Sequence, residues 1–81
     1  MTTQNLVLHY FLRKFRFNRG LILKDMADTL SLGVAELSSI EHGKRRIPED
    51  FTSRMRKAYS VTHDEEVHLF LIDRFQKEGS I

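Results

Sequence analysis

The sequence predicts an all-α domain of five helices, and three observations carry that reading. Apolar residues recur at helical spacing, no stretch alternates with a period of two, and regular punctuation cuts the 81 residues into pieces of helix length. The punctuation is Gly20, Gly33, Gly43, Pro48 and the Ser60-Val61-Thr62 stretch. A chain of this length has room for one core, so residues 1–81 are read as a single domain. At 41% apolar and 30% charged residues it has the composition of a folded globular protein, not a disordered one.

The first helix is expected from about Asn5 to Asn18. Leu8, Leu12 and Phe15 make its apolar stripe with Phe11 alongside, and Arg13, Lys14 and Arg16 occupy other faces. Gly20 stops it by accepting a left-handed conformation. A second helix, about Leu23 to Leu30, turns Met26, Ala27 and Leu30 inward, with Asp25 near its positive end. The third, about Val34 to His42, buries Leu37 and Ile40 between Gly33 as N-cap and Gly43 as stop. So short a connection between helices two and three forces a sharp crossing.

Pro48 is expected to open the fourth helix, with Glu49 and Asp50 complementing the dipole and Phe51, Met55 and Ala58 as the buried stripe. The fifth starts at Thr62-His63-Asp64-Glu65, a Thr-x-x-Glu capping box, and runs to about Lys77. Its apolar residues Val67, Leu69, Phe70, Leu71, Ile72 and Phe75 spread over about two-thirds of the circumference, more than one packing face requires. Leu69 and Ile72 are read as the surplus, covered by a second chain in a homodimer.

Charge is segregated. The net value is only +2, yet residues 1–58 hold 11 basic and 6 acidic side chains against 2 and 5 in residues 59–81, so the first part suits a polyanion and the last does not. The chain lacks cysteine, which excludes disulfides, thiolate chemistry and cysteine-based zinc sites and fits a reducing compartment. The longest apolar runs fall far below the roughly 20 residues that span a bilayer. The uncharged, polar opening Met1 to Asn5 also lacks the pattern of a secretory leader, so a cytoplasmic location and no membrane partner are expected.

The run from Arg16 to Pro48 carries a more specific signal. Arg16 precedes Gly20-Leu21, Met26-Ala27 forms a Met-Ala pair in helix two, and Ser38-Ser39-Ile40-Glu41-His42-Gly43-Lys44-Arg45-Arg46-Ile47-Pro48 closes helix three. This ungapped pattern resembles the lambda-repressor and Cro-like, or XRE-type, helix-turn-helix family, with the resemblance covering roughly residues 12–58. It implies a compact lambda-repressor-like fold and a regulator that prefers certain sequences of double-stranded DNA, a repressor acting by operator occupancy as a homodimer.

Carried onto this chain, the resemblance implies an ion pair between Arg16 and Glu41 behind the DNA-binding surface, where an arginine fork satisfies both carboxylate oxygens. It sets helix three in the major groove, with Val34, Ala35, Glu36, Ser38 and Ser39 turned to base edges. Val34 and Ala35 suit thymine methyls, Glu36 a cytosine amino group, and Ser39 can donate or accept. No arginine, glutamine or asparagine stands among them for a bidentate contact, so selectivity is expected to be modest or to lean on groove shape. Lys44, Arg45 and Arg46, with Lys24, are the expected phosphate contacts.

Two departures from the family pattern stand out. Ile22 and Leu23 replace the usual Ser or Thr followed by Gln where helix two begins, and Ser31 and Gly33 replace a turn glycine and a Ser or Thr cap. Ser31 is expected to take a left-handed conformation at a strain cost of about 1–3 kcal/mol. A greasy Ile22-Leu23 edge also suits a protein, which keeps open a second reading: an interaction module on this scaffold, such as an antitoxin that binds a toxin.

The cluster His63, Asp64, Glu65, Glu66 and His68 has metal-ligand chemistry, but Glu65 and His68 supply only two ligands on one face and the acids already serve the helix dipole. No metal or other cofactor is expected. Ser38, Ser39 and Ser60 have no His-Asp relay and there is no glycine-rich phosphate cradle, so the chain is not read as an enzyme.

Overall fold

The computed structural model describes residues 3–79, with side chains from residue 7 onward. Among these residues there are five helices and no strand: α1 Thr3–Asn18, α2 Leu23–Thr29, α3 Val34–Glu41, α4 Phe51–Ala58 and α5 His63–Lys77. The Cα radius of gyration, 11.6 Å, equals what a close-packed chain of this length is expected to have, about 11.7 Å. Among the described residues no helix is long and apolar enough to cross a membrane.

The first three helices all end in the same way. A residue in the left-handed region follows each helix: Gly20 at φ +66°, Ser31 at +59° and Gly43 at +74°. Each break is closed by a pair of reverse bonds, from Gly20 and Leu21 to the carbonyls of Phe17 and Arg16, from Ser31 and Leu32 to Asp28 and Ala27, and from Gly43 and Lys44 to Ile40 and Ser39. This is the Schellman arrangement, which satisfies carbonyls that a helix end otherwise leaves open. Ser31 occupies a glycine slot, and its Cβ makes that turn the strained one.

One core gathers residues from every helix. Leu8, Leu12 and Phe15 of α1 meet Met26 and Ala27 of α2, Leu37 and Ile40 of α3, Phe51 and Met55 of α4, and Leu69 and Ile72 of α5, with Leu30 and Ile47 filling in from the connections. The 3.6-residue periodicity therefore reads the buried faces of α1 to α3 correctly. Three expectations need correction. Helix four begins at Phe51, not Pro48, because Pro48 to Asp50 form a turn whose closing bond runs from the Phe51 N–H to the Pro48 carbonyl. Ala58 is exposed, since the helix ends there and the chain departs in extended backbone at Tyr59.

The third correction concerns α5. Leu69 and Ile72 do not project; both are fully buried where α5 packs on α1 and α4. The surplus apolar surface lies on the opposite side, at Val67, Phe70 and Leu71, which are 43%, 54% and 37% exposed. Polar anchors fix this rotation. Arg56 of α4 holds Glu66 at 2.8 Å and Asp73 at 3.1 Å, while Thr52 donates to Asp73 at 2.5 Å. Gln76 donates to the carbonyls of Ile47 and Pro48 at 3.0 and 2.7 Å, tying α5 to the α3–α4 connection. The Thr62 capping box forms in both directions, with Glu65 accepting from the Thr62 N–H and the Thr62 hydroxyl accepting from the Glu65 N–H.

Candidate nucleic-acid interface

The helix that can be offered to a partner is α3. Its buried side consists of Leu37, Ile40 and Glu41, and the side about 180° away carries Ala35, Ser38, Ser39 and His42. Ala35 and His42 are exposed and the two serines half-buried; Val34, on one flank, is 43% exposed. Apart from His42 at its end, the outer surface of the rod is therefore short-chained and carries no Asp, Glu, Lys or Arg. Its two acids are turned elsewhere: Glu41 is buried, and half-buried Glu36 reaches back to accept from the Gly33 N–H at 3.5 Å. Glycine has no side chain to return the bond, so only half of a capping box forms at this end.

Two bonds brace α3 from behind. Arg16 of α1 donates from Nε and Nη2 to the two Glu41 oxygens at 2.9 and 3.0 Å, a fork-to-fork pair whose side chains are only 11% and 1% exposed. The third arm of the guanidinium donates to the Leu21 carbonyl at 3.2 Å, so one side chain fixes the α1–α2 turn and the end of α3 together. The hydrogen bond to Glu41 holds the Arg16 guanidinium even further above its ordinary range, against the opposing pull of burial. Beside it, buried His9 donates from Nδ1 to the Ile40 carbonyl at 2.5 Å. The chain's carbonyl can only accept, which assigns the proton to Nδ1.

The basic residues divide into two groups. Lys44 and Arg45 are exposed on the turn after α3 and make no ion pair among the described residues; Arg46 beside them is exposed as well. Lys24 differs, because its ammonium is bonded to Asp28 at 2.8 Å on the surface of α2 and is held above its usual range by that contact. Exposed pairs of this kind hold weakly, so an anion can still draw Lys24 away. Ile22 caps α2 without a side-chain bond and is 62% exposed.

The His–Asp–Glu cluster at the start of α5 is spent on other contacts. Glu65 pairs with Arg19 at 2.7 Å, Glu66 with Arg56, and the His68 ring stacks on Phe11 at 4.5 Å and 7° while its Nδ1 donates to the Asp64 carbonyl. No group of three or more ligating side chains is placed to hold a metal ion among the described residues.

Two contributors escaped the sequence reading, and a third, His42, is read from the sequence only as a residue near the C-terminus of helix three that either approaches DNA or favours the helix dipole. His42 stands on the outer face of α3 with Nδ1 donating to the Ser38 carbonyl at 2.8 Å, which aims Nε2 away from the helix. Helical phase gives its side, since it continues the Ala35 and Ser39 side by one turn. His9 had no such signal, because its partner is a backbone carbonyl 31 residues away. The same holds for Arg54, which donates to the Leu30 carbonyl at 2.6 Å and anchors the α2–α3 turn to α4.

The chain matches no family model, and neither the curated proteins nor the solved structures compared with it give a match.

Proposed function

We propose that the protein is an XRE-type regulator that binds double-stranded DNA as a homodimer in the cytoplasm and represses by occupying its operator. The observation that carries this reading is the presentation of α3: gripped from behind by Arg16–Glu41 and His9–Ile40, free of Asp, Glu, Lys and Arg in front, and followed at once by Lys44, Arg45 and Arg46. A rod with small side chains enters a major groove closely, and basic residues at its end meet phosphates. Val34, Ala35, Ser38 and Ser39 are the reading positions, with Glu36 at the edge and His42 added to the set. Lys24 is a secondary phosphate contact. Two such modules gain effective concentration and read a longer site than one. The outer stripe of α5, Val67, Phe70 and Leu71, is the surface by which two copies join.

The test is fluorescence anisotropy on duplexes recovered by selection from random sequence. Binding near micromolar protein or tighter is expected, and replacing Lys44, Arg45 and Arg46 by glutamine should reduce the salt slope by about 3 per subunit. Absence of salt-sensitive binding to any selected duplex overturns the reading.

A second reading, an interaction module such as an antitoxin that masks a toxin, is favoured by one specific observation. Ile22, Val67, Phe70 and Leu71 leave more apolar surface in water than an isolated domain needs. Charge reversal of Lys44, Arg45 and Arg46 separates the two. Loss of biological activity with protein binding intact supports DNA; unchanged activity supports the interaction module.

A further inference from the structure

The outer face of α1 is a distinct surface that α3 does not use. No acidic residue occurs before Asp25, so α1 carries His9, Arg13, Lys14 and Arg16 without a single negative charge. Its two large aromatic residues on this face are left in water: Tyr10 is 55% and Phe17 58% exposed, with Val7 at 59% one turn before. Arg13 lies between the rings, its guanidinium 6.0 Å from the Tyr10 centroid and 5.9 Å from that of Phe17. Phe17 also covers the Arg16 guanidinium at 4.8 Å. The rings and cations thus form one ladder along about two turns of helix, held in place by their own stacking.

We propose that this ladder is a docking surface for an acidic, apolar segment of another protein. Charge complementarity selects the sign of the partner, since α1 itself offers Arg13 and Lys14 and no carboxylate; the acids nearest to it, Asp64 and Glu65, lie on the α5 side of the groove that Val7, Tyr10 and Lys14 line, and Glu65 is already paired with Arg19. The residue types select its class. Exposed tyrosine, phenylalanine and arginine are what protein interfaces concentrate at their centres, and rings held by a stacked guanidinium lose little freedom on binding. A duplex lying on α3 does not reach these residues, because Tyr10 and Phe17 lie about 100° around α1 from His9 and Arg16, which face α3. Phosphates alone would gain nothing from two aromatic rings. A single-stranded nucleic acid would, and it is the rival that the test must separate.

The surface also touches the brace behind α3. An occupant over Phe17 removes water from the Arg16–Glu41 pair, which links docking to the rigidity of α3; that consequence rests on the proposed function, whereas the docking itself does not.

The experiment is selection from a displayed library of random 12-residue peptides on the full chain, with counter-selection on a Tyr10→Ala/Phe17→Ala variant. Both rings are exposed, so the variant is expected to keep the wild-type circular dichroism and a cooperative thermal transition, and an Arg13→Glu/Lys14→Glu variant provides a second probe. Enriched peptides are expected to combine several Asp or Glu with bulky apolar residues, to bind more weakly in high salt, and to lose at least 10-fold in affinity on each variant. Enrichment that ignores both variants, peptides that are neutral or basic, or no enrichment at all overturns the proposal. So does tighter binding of a 20-nucleotide oligo(dT) strand through the same residues. If acidic peptides bind but no duplex is ever selected, the docking surface stands and the DNA reading alone fails.

Discussion

Removing Glu41 isolates the Arg16 guanidinium in a place where only about a tenth of its side chain meets water. Breaking a buried pair from one side typically costs about 3–5 kcal/mol, because the remaining charge has lost its solvent and its partner together. A domain of 81 residues is expected to have about 4–12 kcal/mol of stability in all. Glu41→Ala should therefore take away a large part of the total, and Arg16→Ala at least as much, since it also frees the Leu21 carbonyl. Glu41→Gln keeps one acceptor and should lose about 2 kcal/mol. The informative variant is the double replacement Arg16→Met/Glu41→Leu, which removes both charges and fills the same space. It should be more stable than either alanine variant, as buried pairs replaced by apolar side chains commonly are. Urea unfolding followed at 222 nm, with the midpoint and slope fitted separately, measures each value. Single-variant losses under about 1 kcal/mol, or a double variant that loses as much as the two singles together, would refute the buried-clamp argument.

The orientation of α5 is checked by a pair of alanine replacements: Leu69→Ala should lose about 2–5 kcal/mol in urea unfolding and Phe70→Ala, measured on the monomer, under about 1. Reversed magnitudes would mean that α5 presents the other face inward. Ser31→Gly should raise stability by roughly 1 kcal/mol, because the φ of +59° strains a side chain and not a glycine. An unchanged or lower urea midpoint would count against that strain. Acid should weaken the fold through the α5 carboxylates. Burial pushes Glu65 upward, but the Arg19 and Thr62 hydrogen bonds outweigh it, and the Arg56 hydrogen bond pulls Glu66 down, so both titrate below the ordinary carboxylate range. A depressed folded value means stability present above the unfolded value, about 4.3, and lost as pH falls through the folded one. The urea midpoint is thus expected to hold from pH 8 to about 6 and to decline below about 5, with Arg56→Gln flattening part of the decline; an acid limb identical in the variant would exclude Glu66 as a source.

How much of this was legible in the residues follows from how far apart the interacting groups lie. The helices, the left-handed stops at Gly20 and Gly43 and the Thr62–Glu65 box are local events, decided within about six residues, so periodicity and turn chemistry were enough, whereas the left-handed Ser31 was reached through the family pattern. Arg16–Glu41 spans 25 residues and was reached only through the family pattern; nothing in the spacing of two charges announces a contact.

What only the tertiary structure decided was rotation. The apolar residues of α5 cover so much of its circumference that either Leu69 with Ile72 or Val67 with Phe70 satisfies an amphipathic pattern, and the local sequence does not distinguish them. The choice falls to contacts from other helices, Arg56 and Thr52 to Asp73 and Gln76 to the Ile47 and Pro48 carbonyls, which hold α5 in one register. The same cause hid His9 and Arg54, whose partners are backbone carbonyls. Every residue carries a carbonyl, so its place as an acceptor is written in the packing of the helices and not in the identity of any residue.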